Sequence, residues 1–349
     1  MDHELIDGKI IDKPKINLDE DQLIEELSKR NGLIPIDIDI DNGQLVWIDF
    51  GDYHFTEWEL PVSVRCFINS EKNFFSFTTD LNILQNNKLF LDNKVPSGFI
   101  FHMSRCGSTV LTNSLSKTNN VITHSPVSFK FWKYITKNWT EPYTNIEDDR
   151  IAMYKNLLFS MGKKNKKTFF KFCSFETYFL PLVMELFPKK PFLFIFREPL
   201  EVLVSLLNYS PRWVRDRKSN FGLFFTDISP SEIKKINLLN YFEKILINIL
   251  STVLKTSNPN IHYLNYIRLK PQYIEEILKK AFTYHPTQNE IKKMQLQFKY
   301  YSKGKNLKHF IPDSEKKKKL VTPQIKICAE NLLKDIYKKL EKSNNNILF

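Results

Sequence analysis

Between residues 34 and 78 apolar and polar positions alternate in short runs: IPIDIDI, QLVWIDF and then VSVRCFI. A period of two is the pattern of half-buried strands. It predicts a small β-rich domain that ends near Pro96. Just before it, Asp19–Arg30 sets Leu23, Ile24 and Leu27 on one helical face, with Gly32 beyond, and so predicts a short amphipathic helix. Residues 1–16 mix Ile with Asp and Lys and predict no element.

After Pro96 the pattern changes. Short apolar runs replace the alternation, at Gly98–Met103, Val121–Thr123, Thr168–Phe172, Pro191–Phe196 and Ile261–Asn265. Helical stretches separate them, at about Ser108–Lys117, Asp148–Met161, Glu176–Phe187, Pro199–Asn208 and Glu232–Leu254. Three more helices are expected at about Gln272–Ala281, Gln288–Tyr300 and Pro323–Glu341. Apolar strands alternating with helices predict βαβ crossovers and a parallel sheet. The chain therefore reads as α/β. A small α+β domain over residues 1–96 precedes a larger domain over residues 97–349, and a length of 349 residues accommodates both.

Composition narrows the class. A hydrophobic content of 42% with 29 Phe and 9 Gly excludes a disordered, fibrous or low-complexity chain. The N-terminal stretch MDHELIDGKIIDKPK lacks a basic segment followed by an apolar one, so no secretory signal is expected. No apolar stretch reaches 18 residues, so no transmembrane segment is expected either. Cys66, Cys106, Cys173 and Cys328 are far apart in the chain and form no CxxC pair. Neither a zinc cage nor a disulfide framework follows, and a reducing cytoplasm is the expected location.

Charge is unevenly spread. Residues 1–96 carry 9 basic and 19 acidic side chains, a balance of −10. Residues 97–349 carry 42 and 20, a balance of +22. A basic domain behind an acidic one suits an anionic ligand, a nucleic acid or an anionic membrane surface, and charge alone does not choose.

In a parallel sheet ligands sit beyond the carboxyl ends of the strands, which directs attention to two turns. The first lies in FIFHMSRCGSTVLTNSL, where a strand enters a Gly-containing loop and Ser108 and Thr109 open a helix. Amide N–H groups at a helix start form an anion site, hydroxyls add donors, and Arg105 adds a charge able to grip phosphate or sulfate. The alternative is a plain Ser or Thr helix cap. The ATP-type loop GxxxxGK[ST] fails twice, because His102 stands where its first Gly belongs and Ser108 where its Lys belongs. The second turn lies in PFLFIFREPLEVLVSLL. Arg197 ends a strand, Pro199 opens a helix, and Ser205 follows Arg197 by eight residues. The pair can bracket a second anion. Alternatively, Arg197 pairs with Glu198 or Glu201 and Ser205 is a small packing residue.

Taken together the two turns resemble those of the sulfotransferases that use 3′-phosphoadenosine 5′-phosphosulfate (PAPS). The family's first loop reads roughly PKSGTT, and SRCGST at Ser104–Thr109 is similar to it position by position, with Arg105 on the family's Lys. Its second signature, an Arg ending a strand and a Ser eight residues on, is matched by Arg197 and Ser205. The resemblance is to bacterial-type members with an SRCGST-like loop. It continues through KFCSFETYFLPLVMELFPKKP and, more weakly, through IHYLNYIRLKP and KHFIPDSEKKKK, covering about residues 97–340. The first domain resembles the group's leader through IDFGDYHFTEWELP, with no chemistry attached.

The resemblance implies a P-loop-type three-layer fold and transfer of a sulfuryl group from PAPS to an acceptor hydroxyl or amine, with no metal. Ser104, Arg105, Cys106, Gly107, Ser108 and Thr109 would hold the 5′-phosphosulfate, with Arg105 stabilising charge on the leaving oxygen. Arg197 and Ser205 would hold the 3′-phosphate. In related sequences a Glu often follows the second strand, whereas here Ser125 takes that place. The neighbouring His124 is then the candidate base, against the plainer reading of a structural histidine. Lys171 and Ser174 are candidates for the acceptor side. The run Lys316–Lys319, after the Pro312-Asp313 break, is either a solvated face or a basic flap. The acceptor, a small molecule, glycan or lipid, is unspecified, as is the oligomeric state. Three alternatives remain: a nucleotide-binding relative with lost or altered activity, a small-molecule kinase, and a basic nucleic-acid-binding protein. The kinase lacks its loop Lys, and the last shows no recognised motif.

Overall fold

The structure is a computed structural model. It describes residues 14–57, 59–71, 73–90, 95–125, 128–256, 258–303, 308–311 and 314–349. Most of the first sixteen residues and the Pro312-Asp313 break lie outside them. The chain divides into two compact units that are interleaved in sequence. One comprises Met1–Ser97 and Asn119–Phe170, the other Gly98–Thr118 and Lys171–Phe349.

The first unit carries a four-stranded mixed sheet. Its strands are β1 (Asn17–Leu18), β2 (Leu33–Asp39), β3 (Gln44–Asp49) and β4 (Ser76–Asp80), in the order β1-β4-β3-β2. Pro35 cannot donate to a ladder, and it falls on the outer strand β2, where the register shifts between Pro35 and Asp37. Helix α1 (Glu20–Lys29) is closed by a reciprocal cap between Asp19 and Gln22.

One expectation changes here. VSVRCFI is not a strand but the body of α2 (Leu60–Ser70). Pro61 opens its first turn, and buried Leu60, Val64 and Phe67 recur at helical spacing. The alternation of Val62 and Val64 with polar neighbours is incidental to that face.

The larger sheet is all-parallel. Its strands are β5 (Gly98–His102), β6 (Val121–His124), β7 (Lys167–Lys171), β8 (Phe192–Phe196) and β9 (Ile261–Asn265), in the order β6-β7-β5-β8-β9, and helices flank it. These are the five apolar runs of the sequence. β8 is buried at every residue, which explains its unbroken FLFIF. Phe99 stacks on Phe192 at 5.0 Å and Phe101 on Phe172 at 4.3 Å. Each buried Phe contributes roughly 1.5–3 kcal/mol of transfer free energy, so the high Phe content is spent largely on this core.

The helices that matter next are α3 (Ser108–Leu115), α4 (Ser128–Ile135), α5 (Asp148–Ser160), α6 (Leu180–Leu186) and α7 (Pro199–Asn208). The helix expected over Glu232–Leu254 is two helices, because Asn237 caps a new start at Leu238 and the longer helix runs Leu238–Lys255. Helix α4 and the short helical pieces at Arg212–Lys218 and Asn220–Phe224 were not expected.

In the strand order the connection leaving β5 runs towards β6, whereas the connection leaving β8 runs to β9 on the other side. Two adjacent parallel strands whose connections diverge leave a crevice beyond their carboxyl ends. The turns after β5 and after β8 meet there.

Candidate functional site, an anion-binding crevice

The turn from β5 to α3 has an unusual backbone. Ser104 and Arg105 have φ of 79° and 51°, and Gly107 has φ of 82°. Left-handed conformations cost a non-glycine residue about 1–2 kcal/mol each. Contacts within the second unit hold the turn. Met103 N–H donates to the Ile195 carbonyl at 3.2 Å. Ser104 N–H donates to His102 Nδ1 at 3.0 Å, and Arg197 Nη1 donates to the Arg105 carbonyl at 3.3 Å.

The plain-cap reading of Ser108 and Thr109 does not describe this turn. The N-cap of α3 is Gly107, and no side chain caps the helix. Its first-turn amides are therefore not taken up by a side-chain oxygen, and the positive end of the helix dipole stays open.

The hydroxyl residues carry further information. Ser104, Ser108, Thr109 and Ser205 are only 5–8% exposed. Among the described residues none of their four hydroxyls hydrogen-bonds to the protein. Their oxygens are not among the fully buried polar atoms, so these four hydroxyls, in the turn, at the start of α3 and on α7, are open to a polar ligand.

Cys106 takes a different place from its neighbours. It is fully buried, its thiol donates to the Ile195 carbonyl at 3.1 Å, and burial pushes its pKa up to about 12. The side chain anchors the turn to β8, and only its backbone is left to meet a ligand.

The two arginines differ in surroundings. Arg105 is half-buried, donates from Nη2 to the Tyr209 carbonyl, and leaves Nε buried without a partner. Burial lowers its basicity, yet a guanidinium stays charged. Arg197 is 6% exposed. It pairs with Glu201, and its guanidinium lies 4.1 Å over the Tyr266 ring. Its Nε is also buried and unpartnered. The pairing that the sequence left open, Arg197 with Glu201, is thus present, while Glu198 caps α7 by accepting from Glu201 N–H at 2.9 Å. An anion at this crevice would add to, or compete with, the Glu201 carboxylate.

Other groups here were missed at the sequence level. Tyr266, just past β9, supports Arg197 and also packs against Gly107. Its signal was an aromatic at a strand's carboxyl end within IHYLNY. Among the described residues Glu176 is the one acidic side chain buried below a tenth exposure, and it accepts from Cys173 N–H at 2.5 Å. Lys171 and Ser174 are buried at the same strand end. In the basic run, Lys317 is buried, and Lys318 pairs with Glu315 at 2.6 Å and feels the charge of Glu201. Among the described residues no three or more His, Cys, Asp or Glu side chains are placed to hold a metal ion. No described helix is long and apolar enough to cross a membrane.

His124 closes β6 in the first unit. Its ring is 2% exposed and packs edge-on to Phe55 at 4.8 Å. Burial lowers its pKa to about 3, opposed by the Met161 backbone and reinforced to a lesser degree by the charge of Lys163. Such a ring is neutral at pH 7 and a weak proton acceptor. The linkage has a clear sign. Below about pH 6.5 the unfolded chain gains a proton that the folded ring refuses until about pH 3, so stability falls with pH across that window and is unaffected above it. At pH 5 the penalty is about 2 kcal/mol. His124→Phe, which keeps an aromatic ring against Phe55, is expected to shrink the stability difference between pH 7 and pH 5 by about that amount in urea unfolding. Its turnover should stay within a few-fold of the wild type. A loss of 100-fold or more would identify His124 as the base.

The chain matches no family model and no curated protein. Solved structures similar to it include three sulfotransferases. A sulfotransferase from Alicyclobacillus acidocaldarius is 16% identical, with 73% of this chain and 97% of that one covered, at a TM-score of 0.42. The sulfotransferase domain from the curacin biosynthetic pathway is 16% identical, with 57% and 77% covered, at 0.34. The sulfotransferase STF9 from Mycobacterium avium is 12% identical, with 82% and 88% covered, at 0.40.

Proposed function

We propose that this protein is a sulfotransferase that moves a sulfuryl group from PAPS to the hydroxyl or amine of an acceptor. The observation that carries the reading is the crevice between β5 and β8. Four hydroxyls without protein partners, on nearly buried residues, and two arginines with unpartnered Nε atoms lie in the two segments whose sequences resemble the family's donor loops.

In this reading Ser104, Gly107, Ser108 and Thr109, with the backbone of Cys106, bind the 5′-phosphosulfate through amides and hydroxyls. Arg105 faces the charge that grows on the bridging oxygen as its bond to sulfur breaks. The acceptor oxygen or nitrogen forms the new bond to sulfur in line with the breaking one, and its proton passes to a base. Arg197 and Ser205 bind the 3′-phosphate, the group that separates this donor from ordinary adenine nucleotides.

Calorimetric titration tests the reading. The desulfated product, 3′-phosphoadenosine 5′-phosphate, is expected to bind with micromolar affinity. AMP, which lacks the 3′-phosphate, and ADP with Mg²⁺ should bind at least tenfold more weakly, a difference of about 1.4 kcal/mol. No binding, or a preference for ADP with Mg²⁺, overturns it. Strong, salt-dependent binding of RNA or DNA in its place would point to nucleic acid.

A further inference from the structure

We propose that His102 is a positioning residue that sets the anion-binding turn through its Nδ1 atom. The imidazole stands at the carboxyl end of β5, and its Nδ1 accepts the Ser104 N–H at 3.0 Å. The turn is thereby tied back to the last residue of the strand that leads into it.

The bond to Ser104 falls on the costly part of the turn. Ser104 and Arg105 are both left-handed without being glycine. Two clamps oppose their relaxation: His102 holds the Ser104 amide, and Arg197 holds the Arg105 carbonyl. A turn that relaxed to right-handed geometry would re-aim the Arg105 side chain and the amides that follow it. Only a ring with an unprotonated Nδ1 can accept from an amide. Burial, together with the nearby charges of Lys171 and Lys303, holds His102 neutral, with its pKa well below the ordinary value. A histidine rather than a hydroxyl residue thus supplies the acceptor.

The test separates this inference from the proposed activity, on which only its affinity readout rests. His102→Asn keeps an acceptor oxygen on Cγ, where Nδ1 sits, whereas His102→Leu keeps bulk without an acceptor. In the free protein, amide exchange at Ser104–Gly107 should rise at least tenfold in His102→Leu and stay within about threefold of wild type in His102→Asn. The affinity for 3′-phosphoadenosine 5′-phosphate should follow the same order. Exchange in His102→Leu equal to wild type overturns the inference, even where the nucleotide binds. Loss of nucleotide binding by the wild type overturns the activity instead, and leaves exchange to decide on His102. If His102→Leu does not fold, ¹⁵N spectra of the wild type decide: an Nδ1 that carries a proton at pH 7 overturns the inference, and an unprotonated Nδ1 coupled across the hydrogen bond to the Ser104 amide supports it.

Discussion

Arg197→Ala is expected to weaken binding of 3′-phosphoadenosine 5′-phosphate by tenfold to a few hundredfold, and binding of AMP by a smaller factor. Hydrogen bonds to a charged partner are worth roughly 1.5–3 kcal/mol each, and a guanidinium can offer two in parallel to a phosphate. The larger loss for the 3′-phosphorylated nucleotide follows from the proposed contact of Arg197, just past β8, with the 3′-phosphate. The substitution also removes the contact with Tyr266, the bond to the Arg105 carbonyl and the ion pair with Glu201. Arg197→Lys separates these contributions. It retains the charge but loses the planar fork, so it should fall between alanine and wild type. Calorimetry on all three proteins checks the order. Equal affinities for the nucleotide with and without the 3′-phosphate in the wild type would remove Arg197 from the donor site.

Gly107→Ala is expected to be the most damaging small substitution in the crevice. At φ of 82° a side chain is strained, and a Cβ there would lie 2.9 Å from Leu269 Cδ2 and from Tyr266 Cδ2. Tyr266 cannot retreat without disturbing Arg197, whose guanidinium lies 4.1 Å over its ring. One added methyl therefore disturbs both halves of the crevice. Affinity for 3′-phosphoadenosine 5′-phosphate should fall at least 100-fold, with a stability loss of about 2–3 kcal/mol. Gly43→Ala is the control. Its φ is 62°, yet its Cβ would meet nothing within 4 Å. It should lose about 1 kcal/mol of stability and no affinity. Urea unfolding and calorimetry on both variants check the contrast. An unchanged affinity in Gly107→Ala would mean that the turn and Tyr266 are not coupled.

Legibility in the sequence followed the physics of burial. Strands β5 and β8 were readable because a strand covered on both faces is near-continuously apolar, and FLFIF or GFIF admits few other readings, while β6, β7 and β9 showed as shorter apolar cores between polar ends. Helix α7 was readable from Pro199 at its first turn. VSVRCFI misled because Val is at home in strands, while the deciding features, Pro61 and the spacing of Leu60, Val64 and Phe67, lie partly outside the run. Helix α4 was invisible because SFKFWKYI is aromatic and short, and its helicity depends on packing.

The same division runs through the site. Ser104–Thr109 and the Arg197–Ser205 spacing are local patterns and could be read directly. Whether Ser108 caps its own helix could not be read, because the cap depends on Gly107 taking a left-handed conformation. Tyr266 and His102 were missed as site residues for a related reason. One acts through a ring 69 residues away from Arg197 in the chain, the other through a bond to a backbone amide, and neither leaves a spacing to find.

The unit that contains both arginines is assembled from two separated stretches of chain, Gly98–Thr118 and Lys171–Phe349. The contacts that hold the turn span long separations: Cys106 to Ile195 is 89 residues, and Arg197 to Arg105 is 92. At about 5–20 residues per second, a ribosome makes Arg105 roughly 5–20 seconds before Arg197. During that interval the left-handed turn lacks the strand that anchors it, and the intervening 119–170 segment belongs to the other unit. The crevice is thus a late product of folding. A nascent chain can acquire much of its acidic first unit before the two turns can meet.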